Sequence, residues 1–425
     1  MKNYIFTVMV LFAVVFTCSG CGKDINTKEE TEFSTESLAE QGLESKPEEG
    51  VDIVLTPDEF TSPKENQEYQ EEFDDQYWVG AYNLWHEAAA ETGDSCYFML
   101  DGFLYVYDRE EKQAALLCGD PTCPHTLDSD CNALVSSRSN NFLEYYNGYL
   151  YTFIVNQEME SGILKETLNL YRISLDGTTK DFVATVASAV AVAGSAYNTY
   201  NVYTMVIHRG YLYYMYGYGF GEDENSYYVN RSHVLYRISL DNPEEPEAIC
   251  AMNYGGVCSL IHLEGHGSYL YFIQTGKENQ MYRYNTESDQ LEYIDIEEPE
   301  FYVVYQDWII YYRVSEPDKY FYYNPETQEE GVFSESGEDY FLGFLTWDGT
   351  YFNRKLGYGD DFEFNMTICD ENLNEISRYD YSWQGLLHEF CFRGINIMAS
   401  NDTKEWLCFD KTDENAELQV IEVKK

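Results

Sequence analysis

Positive charge is scarce in this chain. Its 425 residues carry 26 Lys and Arg against 75 Asp and Glu, a formal net charge of −49. A surface this acidic repels phosphate backbones, which excludes nucleic acid as a partner. Long hydrophobic runs are missing as well. The longest nearly unbroken one, Tyr4 to Thr17, falls short of the roughly 20 residues that a bilayer-spanning helix needs. Proline (10) and histidine (7) are few. There is no G-x-S-x-G elbow, no H-E-x-x-H, no P-loop and no dinucleotide fingerprint, so no catalytic residue is assigned. Carboxylates are so abundant that pairing any two into a hydrolytic dyad says nothing. What the chain has in excess is aromatic: 41 Tyr and 24 Phe bring the aromatic share to 17%, too high for a wholly disordered chain.

The amino terminus reads as an export address. Lys2 precedes the apolar run, which ends in Cys18-Ser19-Gly20-Cys21, the layout of a signal peptide. Small residues before a cysteine resemble the lipobox of bacterial lipoproteins. That resemblance places cleavage after Gly20, making 1–20 the signal peptide, and puts a diacylglycerol (and palmitate) on Cys21. Cys18 stands where the family usually has an aliphatic residue; an ordinary secretory signal with an incidental Cys21 is the alternative. Residues 22–76 hold 18 acids and 4 lysines with no strand or helix period. The expectation for 21–76 is a lipidated cysteine followed by an extended, disordered acidic linker.

From residue 77 two phrases recur. One is a turn followed by an aromatic strand: Asn147-Gly148-Tyr149-Leu150-Tyr151, Arg209-Gly210-Tyr211-Leu212-Tyr213 and Gly267-Ser268-Tyr269-Leu270-Tyr271. The other is a strand closed by Asp or Asn. Leu170 to Asp176 repeats identically at Leu235 to Asp241, and the closing residue falls at 108, 176, 241, 285, 324, 370 and 410. An incoming strand, the Gly-Tyr strand, the Asp-ended strand and a polar outer strand make four per unit. Seven such units at about fifty residues predict an all-β fold: a β-propeller of seven four-stranded blades over 77–425. Rings of six or eight remain compatible, because Tyr77 to Ala90 shows no clear innermost strand. Two stretches read as inserts, Arg109 to Asn141 and Gly217 to Ser232. Most tyrosines are assigned to packing between blades, where both strand faces are covered. Tyr218, Tyr227 and Tyr228, in an insert, are kept as ligand-contact candidates.

The first insert carries Cys118, Cys123, His125 and Cys131 in the pattern C-x4-C-x-H-x5-C, on a turn-rich loop with two prolines. Two readings stand. Three thiolates and an imidazole can close a structural tetrahedral zinc site. An exported protein also favours disulfides. Without Cys18 and Cys21, nine cysteines remain, so disulfides alone leave a thiol over. His262 and His266, four apart beside glycines, read as ordinary strand and turn histidines. Asp128, Asp130, Asp360 and Asp361 read as solvated loop charge.

Together the lipobox, the acidic linker, the repeat phrases and the Cys118–Cys131 loop resemble β-propeller lipoproteins of clostridia and related Gram-positive bacteria, with TolB-like or domain-of-unknown-function repeats. The resemblance covers most of 77–425 and implies architecture and address, not an activity. The expectation is a lipid-anchored binding or protein-interaction module on the outer face of the cytoplasmic membrane. Its ligand would be a cell-surface protein, peptide or carbohydrate. The alternative is an extracellular polysaccharide- or peptide-active hydrolase or lyase on the same scaffold.

Overall fold

A strand whose two faces are both apolar needs a neighbour on each side. The computed structural model of the chain, which describes residues 52–55, 89–135 and 142–335 apart from breaks, and the segments 344–347, 352–356, 363–382, 396–399, 403–408 and 419–424, shows what those neighbours are. All the described elements are strands, numbered here in chain order. A lone strand, β1 (Asp52–Leu55), precedes the repeats. Blade 1 is β2 (Ala89–Glu91), β3 (Ser95–Leu100), β4 (Phe103–Asp108) and β5 (Gln113–Leu116). Blade 2 is β6 (Leu143–Tyr146), β7 (Tyr149–Glu160), β8 (Ile163–Ser174) and β9 (Lys180–Val192). Blade 3 is β10 (Tyr200–His208), β11 (Tyr211–Gly219), β12 (Arg231–Ser239) and β13 (Glu247–Tyr254). Blade 4 is β14 (Leu260–His266), β15 (Tyr269–Gln274), β16 (Gln280–Asn285) and β17 (Gln290–Ile294).

Blade 5 is β18 (Pro299–Tyr305), β19 (Trp308–Arg313), β20 (Glu316–Tyr323) and β21 (Glu330–Glu335). Blade 6 is β22 (Phe344–Trp347), β23 (Phe352–Leu356), β24 (Glu363–Cys369) and β25 (Glu375–Ser382). The seventh sheet shows β26 (Asn396–Ala399), β27 (Thr403–Cys408) and β28 (Gln419–Lys424). Residues 383–395, before it, lie outside the described residues. Each sheet is an antiparallel meander in chain order, and the first strands β2, β6, β10, β14, β18 and β22 touch one another in succession. Seven radial sheets of this kind are the β-propeller that the repeat count predicts.

Successive residues of one strand enter different interfaces. On β11, Leu212 and Tyr214 pack against blade 2, while Tyr213 and Met215 pack against blade 4. On β15, Leu270 and Phe272 face blade 3, and Tyr271 and Ile273 face blade 5. On β19, Ile309 and Tyr311 face blade 4, and Ile310 and Tyr312 face blade 6. The period of two thus builds one apolar layer per pair of blades, at roughly 2 kcal/mol for each large side chain buried.

The closing Asp or Asn turns the chain from third to fourth strand. Asn285 Oδ1 accepts the N–H groups of Glu287 and Ser288, and Asn324 Oδ1 those of Glu326 and Thr327. Asp108, Asp176 and Asp370 do the same in their blades. Backbone N–H groups left free at the turn are thereby satisfied.

Arginines join blades. Arg172, Arg237 and Arg283 occupy equivalent positions on β8, β12 and β16. Each guanidinium lies over a Gly-Tyr ring, Tyr149 at 4.9 Å, Tyr211 at 5.4 Å and Tyr269 at 4.2 Å. Each also binds a carboxylate of its own fourth strand: Asp181, Glu247 or Glu292. Arg237 and Arg283 reach further, to Asp289 (3.2 Å) and Glu326 (2.9 Å) in the next blade's turn. In blade 5 the pair becomes aromatic, with Trp308 edge-on to Tyr322 at 5.0 Å.

Three boundaries differ from the sequence reading. Gln113–Leu116, read as insert, is the fourth strand of blade 1, because it pairs with Tyr105–Asp108. Residues 217–219 and 231–232 extend β11 and β12, so the second insert is shorter than Gly217 to Ser232. Asp52–Leu55, inside the segment read as linker, pairs antiparallel with Cys250–Asn253 on the edge of blade 3. An isolated four-residue strand with three apolar residues in acidic sequence gave no periodic signal, since the strand it joins is remote in sequence. The signal peptide, Cys21 and the rest of the linker lie outside the described residues.

First strands also exchange hydrogen bonds. Ile207 N–H donates to Glu144 at 2.8 Å, and Val304 N–H donates to Glu264 at 3.2 Å. Burial pushes the Glu144 carboxyl from 4.5 up to about 8, against the pull of the Ile207 N–H. The folded protein then keeps a proton that the unfolded chain releases near 4.5. Stability from this group is complete below about pH 4.5 and is lost as pH rises through about 8. Glu144→Gln, which keeps an acceptor, is expected to flatten that part of the melting temperature against pH; an unchanged slope refutes the assignment.

Candidate metal centre

The loop from Leu117 to Val135 is held at both ends by blade 1 and along one side by blade 2. Leu117 N–H donates to Leu104 O, Leu104 N–H to Ala133 O, and Val135 N–H to Gly102 O. Cys131, Ala133 and Val135 are buried in the layer that Leu104, Leu150 and Ile173 share. The other side lies on the turn after β8, the Leu-Asp-Gly part of the repeat. Gly119 N–H donates to Gly177 O at 3.0 Å. Asn132 Nδ2 donates to Gly177 O and Thr178 O, each at 3.0 Å. Lys180 Nζ donates to Cys131 O at 2.7 Å and Leu134 O at 3.2 Å. The contact is close enough to demand glycine. A Cβ on Gly177, whose φ is +68°, would meet the Leu117 carbonyl at 2.6 Å, and one on Gly119 would meet Thr178 Cγ2 at 2.6 Å.

Within the loop, short-range bonds set the direction of each ligand. Asp120 Oδ1 accepts from the N–H and hydroxyl of Thr122, and Cys123 N–H donates to Asp120 O. His125 takes a left-handed backbone, φ 51°, which reverses the chain between Cys123 and Cys131. Ser129 and Thr126 close the remaining turn.

These turns bring the four sequence-predicted residues together. The ligand atoms of Cys118, Cys123, His125 and Cys131 all lie within 4.8 Å of one another, and His125 Nδ1 is 3.5 Å from Cys131 Sγ. A tetrahedral ion with bonds of about 2.3 Å to sulfur and about 2.0 Å to nitrogen sets its ligands about 3.5 to 3.8 Å apart. Cys118, Cys123 and Cys131 are free thiols. Burial first of all raises the Cys131 thiol to about 11, whereas the N–H of His125 above all lowers that of Cys123. Among the described residues no other group of three His, Cys, Asp or Glu side chains gathers in this way.

The other candidates do not join it. His262 and His266 both lie on β14, separated by a bulge. Asp128, Asp360, Asp361, Tyr227 and Tyr228 lie outside the described residues, and Tyr218 is a β11 residue paired with Ser232 and Tyr200. Sequence reading missed Asn132, Gly177 and Lys180, which hold the loop. A lysine next to a repeat turn in so acidic a chain was the available signal.

No family model and no curated protein matches this chain. Among solved structures it is similar to the Pyrococcus horikoshii acylaminoacyl peptidase, at 10% identity and TM-score 0.45, over 80% of this chain and 52% of that one. It is similar to the β-propeller domain of the Trilobed protease from Pyrococcus furiosus, at 11% identity and TM-score 0.44, over 80% and 97%. It is also similar to Porphyromonas gingivalis dipeptidyl peptidase 4, at 10% identity and TM-score 0.40, over 77% and 58%. The chain spans about half the length of the first of these.

Gly177→Ala is expected to destabilise the protein by roughly 2 to 3 kcal/mol in urea unfolding, from backbone strain plus the clash. Gly148→Ala, at φ +87° with open space around it, should cost only the strain, about 1 kcal/mol. Equal losses would show that the loop does not press on this turn.

Proposed function

We propose that this chain is a lipid-anchored β-propeller that works as a binding module on the outer face of a bacterial cytoplasmic membrane. The observation that carries the reading is how its polar side chains at the blade junctions are used. Glu144, Glu264, Arg237 and Arg283 each reach across to the next blade, and the apolar layers lie between blades. A frame joined in this way holds the loops it carries in fixed places, which suits recognition.

The partner class follows from charge. Residues 77–425 carry a net −36, so they favour cationic or neutral peptides, proteins and carbohydrates over anionic wall polymers. The address rests on Lys2, the apolar run and Cys21. The acidic stretch between Cys21 and Asp52 would space the propeller from the lipid surface by mutual repulsion of its charges.

Two measurements test this reading. Metabolic labelling with a radioactive fatty acid is expected to mark the full chain and to fail on Cys21→Ala; label on the variant refutes the anchor. A binding screen of the full chain should find saturable binding to a cationic or neutral surface ligand, weakened by salt if cationic. Binding confined to anionic polymers, binding to nothing in the panel, or turnover of a polysaccharide or peptide would overturn the module.

A further inference from the structure

We infer that Cys118, Cys123, His125 and Cys131 hold one Zn²⁺ ion in a closed tetrahedral site, and that this ion fixes the blade 1–blade 2 connector onto the Leu175–Thr179 turn. The inference is independent of what the propeller binds. It starts from the donor set: three sulfurs and one imidazole nitrogen form one of the usual structural zinc combinations. Geometry agrees, because all four atoms fall within 4.8 Å and the one separation between named atoms, 3.5 Å, matches a tetrahedral edge. His125 turns Nδ1 toward the sulfur of Cys131, so Nδ1 is the nitrogen that would ligate the ion, with the ring proton on Nε2.

The surroundings fit an ion of that charge. Binding displaces the three thiol protons to solvent, and Zn²⁺ with three thiolates and a neutral imidazole carries a net −1. Lys180, whose ammonium donates to Cys131 O and Leu134 O, supplies a positive charge beside it. Such outer groups orient ligands and tune the site. Four protein ligands leave no open position for substrate, so the ion's role is to hold the loop. The loop needs holding. Among its described residues the backbone from Leu117 to Val135 makes an isolated bridge at Leu134 and no ladder, yet it supplies four buried core residues, Leu117, Cys131, Ala133 and Val135.

The test uses the full chain purified without added metal. Native mass spectrometry is expected to show one Zn²⁺ per chain. Replacement by Co²⁺ should give the ligand-field and sulfur-to-metal charge-transfer bands of tetrahedral thiolate cobalt. Alkylation of the three loop thiols should be slow until a chelator is added. Cys123→Ser and His125→Asn should each weaken zinc binding at least about tenfold; Asn tolerates the left-handed backbone, so that variant removes the ligand without straining the turn. His125→Cys should keep the ion and shift the cobalt spectrum toward four sulfurs, an outcome that a purely packing role for the histidine would not produce. Lys180→Met should keep the stoichiometry and loosen the affinity. The inference is overturned by a chain that binds no metal and is two hydrogens lighter in mass, by loop thiols that react alike with and without chelator, by zinc retained in the Cys123→Ser, His125→Asn double variant, or by a different ion in the site.

Discussion

The arginines of the third strands carry the constraint on which the rest of the propeller depends. Arg237 is fully buried, and a buried guanidinium is tolerable only where carboxylates and hydrogen-bond acceptors surround it. Glu247, Asp289 and the Tyr284 hydroxyl supply them, and the Tyr211 ring covers its face. Because Asp289 belongs to the next blade, the condition for burying the charge is also a condition on how blades 3 and 4 meet. Arg283 repeats the arrangement between blades 4 and 5. A chain with few cations thus places some of them where one positive charge offsets acids from two sheets.

Blades 1 and 2 meet differently. Their junction is made by the cysteine loop, which lies on the Asp-Gly turn through Gly119, Asn132 and Lys180. The Gly177 turn in blade 2 and the loop are complementary to within the volume of a methyl group. The four ligands sit on a connector whose described backbone has little ladder pairing of its own. An ion there would do for this junction what Arg237 does between blades 3 and 4 and Arg283 between blades 4 and 5.

Much of this was legible in the residues. Seven closing Asp or Asn positions correspond to seven sheets, and at 108, 176, 285, 324 and 370 that residue caps the turn into the fourth strand. Tyr211 to Met215, apolar on both faces, told that two neighbours were needed. The spacing of Cys118, Cys123, His125 and Cys131 told that they could converge. Other parts were not legible. β5 is short and largely exposed, with the sequence Gln113-Ala114-Ala115-Leu116, so it lacked the alternation that marks a half-buried strand. β1 pairs with a strand nearly two hundred residues away, beyond any local pattern. Lys180 and Asn132 matter through contacts with backbone carbonyls, which no sequence motif records. Tyr218 was read as insert because its repeat unit is long, whereas β11 runs on through Gly217 and Gly219.

The central claim is that burying one arginine makes two blades depend on each other. A double-mutant cycle with Arg237→Met and Asp289→Asn, followed by urea unfolding, measures it most directly. The account predicts a coupling of roughly 1 to 3 kcal/mol between the two sites, with Arg237→Met alone costing several kcal/mol because Asp289 and Glu247 lose their cation. Additive losses, with no coupling beyond error, would mean that the blades are held by their apolar layers alone and would contradict it.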